Sequence, residues 1–259
     1  MSGARWRMVH GDSLLRLREL PDASVDAVIT DPPYSSGGMF RGDRQAASST
    51  KYQNADTQAE YPEIVGDNRD QRGYLAWCSL WLAESLRVAR EGAVVVLFSD
   101  WRQLPTTTDA LQAGGWMWRG IAAWCKPSSR PQLGRIRQDA EFVVWGSKGP
   151  MPLSRAAPVI AGHWVEPSPR EREHMTEKPI GVMRDLVQLC ERGGLVLDPF
   201  AGAATTGVAA LLEGRRFLGL EVSPEYHAIA ERRLRETEAG ADRGSLATGQ
   251  GALFGAVAT

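Results

Sequence analysis

Two short stretches of this sequence carry residue types that chemistry needs. The first is Asp31-Pro32-Pro33-Tyr34. Its two prolines stiffen the backbone and remove two N–H donors, so the carbonyls of the turn stay free to accept hydrogen bonds. An acid beside free carbonyls, followed by an aromatic face, suits a flat ligand bearing an exocyclic NH2. The acid and a carbonyl take its protons while the ring stacks on Tyr34. A plain proline-rich turn after a strand is the competing reading. The second stretch begins with Asp198-Pro199-Phe200-Ala201-Gly202 and continues through Thr205 and Gly207 into the helical pattern 208–212. Gly202 and Gly207 stand where side chains would block a ligand. A further apolar run, 217–220, ends at Glu221. Strand, glycine turn, helix, strand and acid is the local layout of a nucleotide-cofactor site, in which the acid takes two ribose hydroxyls. The glycine spacing is looser than a dinucleotide fingerprint, and no Gly-Lys-Ser/Thr follows. An ordinary βαβ turn is the alternative.

The elements that must position these residues can be read around them. Residues 25–30 form a buried strand that delivers Asp31, and 195–197 do the same for Asp198. A short strand at 5–9 leads to Gly11-Asp12, and leucines at 14, 15, 17 and 20 follow at near-helical spacing, with Asp12 or Ser13 as the N-cap. An amphipathic helix runs from 74 to 90, closed by Glu91-Gly92, and 93–98 is a buried strand ending near Asp100. Residues 104–114 form a helix. Residues 116–124 form a strand that buries Trp116, Trp118 and Trp124, and 141–145 form another. Helices follow at 179–190 and from Ser223-Pro224-Glu225 to about 238. Between them lie two basic segments. The polar loop 35–73 leaves the Asp-Pro-Pro-Tyr turn directly and carries Arg41 and Arg44; a loop this long is functional or disordered. Residues 126–138 hold Lys126, Arg130, Arg135 and Arg137 with no acid before Asp139, which suits contact with phosphates or a solvated basic loop.

Composition bounds the remainder. The chain has 259 residues and 43% hydrophobic content, enough for one α/β domain with a full core. A formal net charge of −1 gives no global basic field, so affinity for nucleic acid would rest on local clusters. Cys78, Cys125 and Cys190 are scattered and lack a Cys-x-x-Cys pair, which fits a reduced, cytoplasmic setting. The four histidines are equally dispersed, so no metal constellation appears. No apolar run is long enough to cross a bilayer, and the first residues lack a secretory pattern.

Asp31-Pro32-Pro33-Tyr34 early and Asp198-Pro199-Phe200-Ala201-Gly202 late together resemble the amino-group DNA methyltransferases, which modify adenine N6 or cytosine N4. The tetrapeptide precedes the cofactor loop, the permuted order of the beta group of that family. Gly11-Asp12-Ser13, Trp124-Cys125-Lys126-Pro127 and Thr176-Glu177-Lys178-Pro179 also match, so the likeness spans roughly residues 8–235. Glu177 departs from it, since the family commonly shows Gln there. The resemblance implies a circularly permuted, Rossmann-like α/β fold with a mostly parallel seven-stranded sheet and helices on both faces. It implies S-adenosylmethionine as cofactor and double-stranded DNA as substrate, with the target base flipped into the site. Asp31, Pro32, Pro33 and Tyr34 would be catalytic. Asp12 and Ser13 would lie at the cofactor's adenine, Thr176 and Lys178 at its carboxylate, and Asp198, Pro199, Phe200, Gly202, Thr205, Gly207 and Glu221 around the rest of it. An initial Asp leans toward adenine N6. The expected organisation is one catalytic domain over 1–238, with the 35–73 loop over the active site, a short target-recognition insert at 146–175 and a disordered tail at 239–259. Relatives are often dimers, which leaves a homodimer through the 74–90 helix open. Protein-glutamine methylating enzymes use a related tetrapeptide but place the cofactor loop first, so the order here argues against them; RNA is the less excluded alternative substrate.

Overall fold

The apolar runs of this chain lack the polar alternation of half-exposed strands, and they become strands covered on both faces. A computed structural model describes residues 4–34, 69–127, 133–152, 154, 156–169, 173 and 176–240. Its strands are β1 (Trp6–His10), β2 (Val25–Thr30), β3 (Ala89–Ser99), β4 (Met117–Cys125), β5 (Ala140–Ser147), β6 (His163–Val165), β7 (Leu195–Asp198) and β8 (Arg216–Glu221). Its helices are α1 (Ser13–Arg18), α2 (Gln71–Val88), α3 (Leu104–Ala113), α4 (Ile180–Val187), α5 (Thr205–Leu212) and α6 (Pro224–Glu238). The strands form one eight-stranded sheet in the order β1-β8-β7-β2-β3-β5-β4-β6. Only β5 runs antiparallel to its neighbours. The strand beyond the expected seven is β6, three residues in a stretch read as an irregular insert.

Successive residues of the central strands enter opposite cores. Val94, Val96 and Phe98 of β3 join the cluster built with α4, α5 and α6, whereas Val95 and Leu97 join the one built with α1, α2 and α3. Helices therefore cover both faces. The chain reverses its direction of winding between β2 and β7, which lie side by side and parallel. In open α/β sheets that switch point leaves a crevice at the carboxyl ends of the strands. Asp31 and the loop after Asp198 leave from those ends.

Two local expectations need correction. Glu91-Gly92 does not close the helix: α2 passes directly into β3 at Ala89, and the pairing with β2 shifts between Val25 and Ala27 to absorb the extra residues. Gly92, at φ +74°, lies so close to Pro152 that a side chain would collide with its ring. Trp118 is exposed rather than buried, because β6 pairs only with the last residues of β4 and leaves its start at the sheet's rim. Trp116 and Trp124 are buried. The parts of the 35–73 loop at 35–68 and of the tail at 241–259 lie outside the described residues. Among the described residues no helix is long and apolar enough to cross a membrane.

At the far end of the sheet β1 pairs in parallel with β8, and the Trp6 indole N–H donates to Glu238 Oε2 at 2.9 Å, joining the first strand to the last helix. Gly207, in the first turn of α5, faces Phe217 of β8 and Leu234 of α6 with no room for a side chain. A Cβ at that position would stand 2.6 Å from the Phe217 ring and 2.8 Å from Leu234. Overpacking of this kind costs about 1–3 kcal/mol. Gly207→Ala should therefore lower the urea midpoint by a corresponding amount with an unchanged m-value; an unchanged midpoint would show that the ring yields freely.

Candidate active site

The crevice between β2 and β7 opens into a cavity of about 380 Å³. Both stretches singled out from the sequence line it: Asp31, Pro32, Pro33 and Tyr34 on one side, and Asp198, Pro199, Phe200, Gly202 and Thr205 on the other. Asp12, Ser13, Thr176, Lys178 and Glu221 complete the set. Gly207 does not reach it. The expectation that it faces a ligand is corrected, since it is glycine for the sake of Phe217 and Leu234.

The loop after β7 is organised by Asp198. Its Oδ1 accepts from Thr30 Oγ1 at 2.5 Å and from the Phe200 N–H at 3.0 Å, and its Oδ2 accepts from Thr206 Oγ1 at 2.6 Å. Strand β2, the loop and helix α5 thus meet on one buried carboxylate. Ser13 Oγ donates to the Pro199 carbonyl, tying α1 to the same loop. Gly202 turns at φ +50° at no steric cost, while Ala204 holds φ +60° with a methyl group, a strained conformation typical of functional loops. Phe200 turns away from the loop to pack edge-on against Trp81 and tilted against Trp77, each with ring centroids 5.1 Å apart.

Glu221 closes the cradle. Its Oε2 accepts from the Gly202 N–H at 2.7 Å and its Oε1 from the Ser223 N–H at 2.9 Å, with the Val222 N–H adding to them, so backbone donors anchor both oxygens. Burial raises its pKa against these backbone donors. Asp12 accepts from the Leu15 N–H at 3.2 Å and so is the cap of α1, while it also lines the cavity. Glu177, the departure from the family pattern, accepts from Arg233 at 2.7 Å and from Thr205 Oγ1 at 3.2 Å. Arg233 also donates to the Ala203 carbonyl at 2.7 Å. A carboxylate at this position gives the guanidinium a charged partner that an amide would not.

The other wall holds a row of alternating charges. Asp31 Oδ1 accepts from the Tyr34 hydroxyl at 2.5 Å, and Oδ2 accepts from Lys178 Nζ at 2.5 Å. Lys178 also pairs with Glu141 Oε2 at 3.2 Å, and Lys126 with Glu141 Oε1. Burial raises the pKa of Asp31, and Lys178 opposes part of that rise. Burial likewise pushes Glu141 up, but the two ammoniums outweigh it and bring the carboxyl to about 2. Burial also raises the Tyr34 phenol, and the neighbouring carboxylates add to it.

Lys126 thus lies inside this wall, 4.8 Å from the Trp124 ring, rather than on an open phosphate-facing loop. Lys178, expected at a cofactor carboxylate, faces Asp31 instead. Arg137 pairs with Asp139 at 2.7 Å, and Arg135 lies two residues before it on the exposed stretch 133–138. Arg41, Arg44 and Arg130 lie outside the described residues. Sequence reasoning missed Glu141, read only as the first residue of a strand. Because β5 is antiparallel, its start, not its end, reaches the rim where β2 and β3 finish. A lone acid opening an otherwise apolar strand was the available signal.

A model of the DNA methylase family matches residues 25–232, spanning both walls of the cavity. The chain belongs to the DNA methylase family. Its relatives include a chain of Escherichia coli (strain K12) provisionally named methylase YubD, 28% identical over 241 residues that span 92% of this chain and 94% of that one. Among solved structures, an M1.HpyAVI–SAM complex superposes with a TM-score of 0.63 at 23% identity, covering 88% of this chain and 98% of the other. The PvuII DNA methyltransferase, described as cytosine-N4-specific, superposes with a TM-score of 0.65 at 20% identity, covering 87% and 85%. These likenesses establish the methylase fold.

The clasp at Asp198 has a measurable consequence for this methylase. Burial pushes its carboxyl up to about 6, against the pull of Thr206 and Thr30. The folded chain therefore binds this proton more tightly than the unfolded chain does. The group favours folding at low pH and costs stability as pH rises from about 4 through about 6, by about 3 kcal/mol in all. Unfolding by urea across that window should show wild type losing stability relative to Asp198→Asn as pH rises. Parallel pH dependences would show that Asp198 does not titrate there.

Proposed function

We propose that this chain is an S-adenosylmethionine-dependent DNA methyltransferase acting on an exocyclic amino group, with adenine N6 as the preferred target. The observation that carries this reading is the shared cavity: the proline turn and the glycine loop face one space. The residues present fit the cofactor. Glu221 offers two backbone-anchored oxygens to a ribose diol, Asp12 and Ser13 stand at one end, and Thr176, Thr205 and the start of α5 line the side that an anionic group would face, at a helix N-terminus. When bound, S-adenosylmethionine supplies a methyl group on a cationic sulfur.

The chain's own residues answer the remaining chemical problem. The NH2 of adenine or cytosine is a poor nucleophile because its lone pair is delocalised into the ring. The Asp31 carboxylate and the Pro32 carbonyl accept its two protons, draw the nitrogen toward tetrahedral geometry and free the pair. Asp31 also stabilises the positive charge that grows on nitrogen, a preorganised electrostatic effect, and fixed positioning adds to it. The Tyr34 ring stacks on the base. Flipping that base out of the duplex costs a few kcal/mol, which stacking partly offsets. Arg135 and Arg137, on the exposed stretch before β5, serve the DNA phosphates, together with Arg41, Arg44 and Arg130. The choice of adenine rests on Asp as the first residue of the tetrapeptide, and cytosine N4 is the second reading because the fold is shared with a cytosine-N4 enzyme.

Asp31→Ala should abolish methyl transfer to DNA while leaving cofactor affinity within about tenfold, and Glu221→Ala should chiefly weaken cofactor binding in a calorimetric titration. Methylome sequencing of cells expressing the protein should reveal N6-methyladenine at a fixed motif. N4-methylcytosine would select the second reading, and unmodified DNA would remove both.

A further inference from the structure

Lys178 is the most enclosed cation of the site, with 4% of its side chain exposed. Its ammonium lies between the rings of Tyr34 and Phe98, at 5.3 and 5.2 Å from their centroids. Its three donors are directed to Asp31 Oδ2 at 2.5 Å, Glu141 Oε2 at 3.2 Å and, weakly, the Thr176 carbonyl at 3.5 Å. No donor remains for a cofactor carboxylate unless one of these contacts breaks, and an unpaired ammonium in such a place is strongly unfavourable. Glu141 is itself fixed from behind by Lys126. The other Asp31 oxygen is fixed by Tyr34. Each Asp31 oxygen still has a free lone-pair direction.

We propose that Lys178, anchored by Glu141, is the positioning residue of the methyl-transfer site: it sets the orientation of the Asp31 carboxylate and keeps it ionised for the incoming amino group. This rests on the function proposed above. The role differs from cofactor binding, because Lys178 then acts through Asp31 and touches neither base nor cofactor. The groups that face Asp31 are Lys178 from the segment before α4, Glu141 from β5, Tyr34 from its own turn and Asp198 from β7. Lys126 stands behind Glu141, and Asp100 and Arg69 line the same cavity. Two of these carry opposite consequences. Removing the Lys178 charge makes Asp31 harder to ionise, whereas removing the Glu141 charge makes it easier while loosening the hold on Lys178.

The test is the pH profile of single-turnover DNA methylation at saturating cofactor, for wild type, Lys178→Gln, Lys178→Arg and Glu141→Gln. Lys178→Gln should lose about tenfold or more in rate at neutral pH. Its acid limb should move up, and Lys178→Arg should restore most of the loss. Glu141→Gln should move the limb the other way. Cofactor affinity measured by calorimetry should stay within about threefold for Lys178→Gln. A readout independent of turnover is the 13C carboxyl resonance of Asp31 in cofactor-free, aspartate-labelled protein, identified by its loss in Asp31→Asn. It should titrate higher in Lys178→Gln and lower in Glu141→Gln. An unmoved Asp31 titration, or a cofactor affinity that falls in step with the rate while the limb stays put, would overturn the proposal. Should wild type transfer no methyl group to DNA, the proposed function fails, and the resonance still decides whether Lys178 governs Asp31.

Discussion

Burying anions is the constraint on which this structure turns. Asp31, Glu141, Asp198 and Glu221 converge on one cavity in a chain whose formal net charge is −1, so no general positive field can stabilise them. Each is satisfied by a different local device. Glu141 sits between two ammoniums and remains ionised to about pH 2. Asp198 is met only by two hydroxyls and one backbone N–H, all neutral donors, and its carboxyl rises to about 6. Glu221 relies on backbone N–H groups delivered by the glycine loop and by the start of α6. Asp31 shares one ammonium with Glu141 and one hydroxyl with its own turn. Formal charge is therefore best supported on the wall of Asp31 and Glu141, where ammoniums stand, and weakest at Asp198, where the loop is pinned by neutral donors.

The fold was legible wherever burial wrote itself into composition. Residues 93–98 and 217–220 have no polar alternation, and such runs become central strands with helices on both sides. Capping chemistry placed the start of α6 at Ser223-Pro224, where Ser223 accepts the Tyr226 N–H. What stayed hidden were features set by neighbours distant in the chain. Strand β6 is three residues long, and it is held because Trp164 reaches Asp185 at 2.8 Å while Glu166 caps the N-terminus of α4 through the N–H groups of Gly181 and Val182. Gly92 reads as a helix stop in sequence, yet it lies inside β3, where the register against β2 shifts and Pro152 packs too closely for a side chain.

The site divides the same way. Residues whose role is fixed by a local motif were found: the turn at Asp31, the loop at Asp198 and the acid at Glu221 all line the cavity. Residues whose role comes from strand direction or from a distant partner were not. Glu141 matters because β5 runs backwards, which brings its first residues to the rim where β3 ends. Gly207 misled because a glycine in a loop-to-helix turn can serve a ligand or a close approach of helix to sheet, and spacing alone does not separate the two.

The contact between Trp6 and Glu238, with β1 lying beside β8, closes the domain on itself. Among the described residues the first strand and the last helix touch, so the same packing could be threaded by a chain opened at another point. The two walls of the crevice, among the described residues, meet through side chains such as Thr30 and Asp198, far apart in the chain, and not through the peptide that joins them. Evolution is therefore free to shuffle which motif is translated first without disturbing the geometry that both must share.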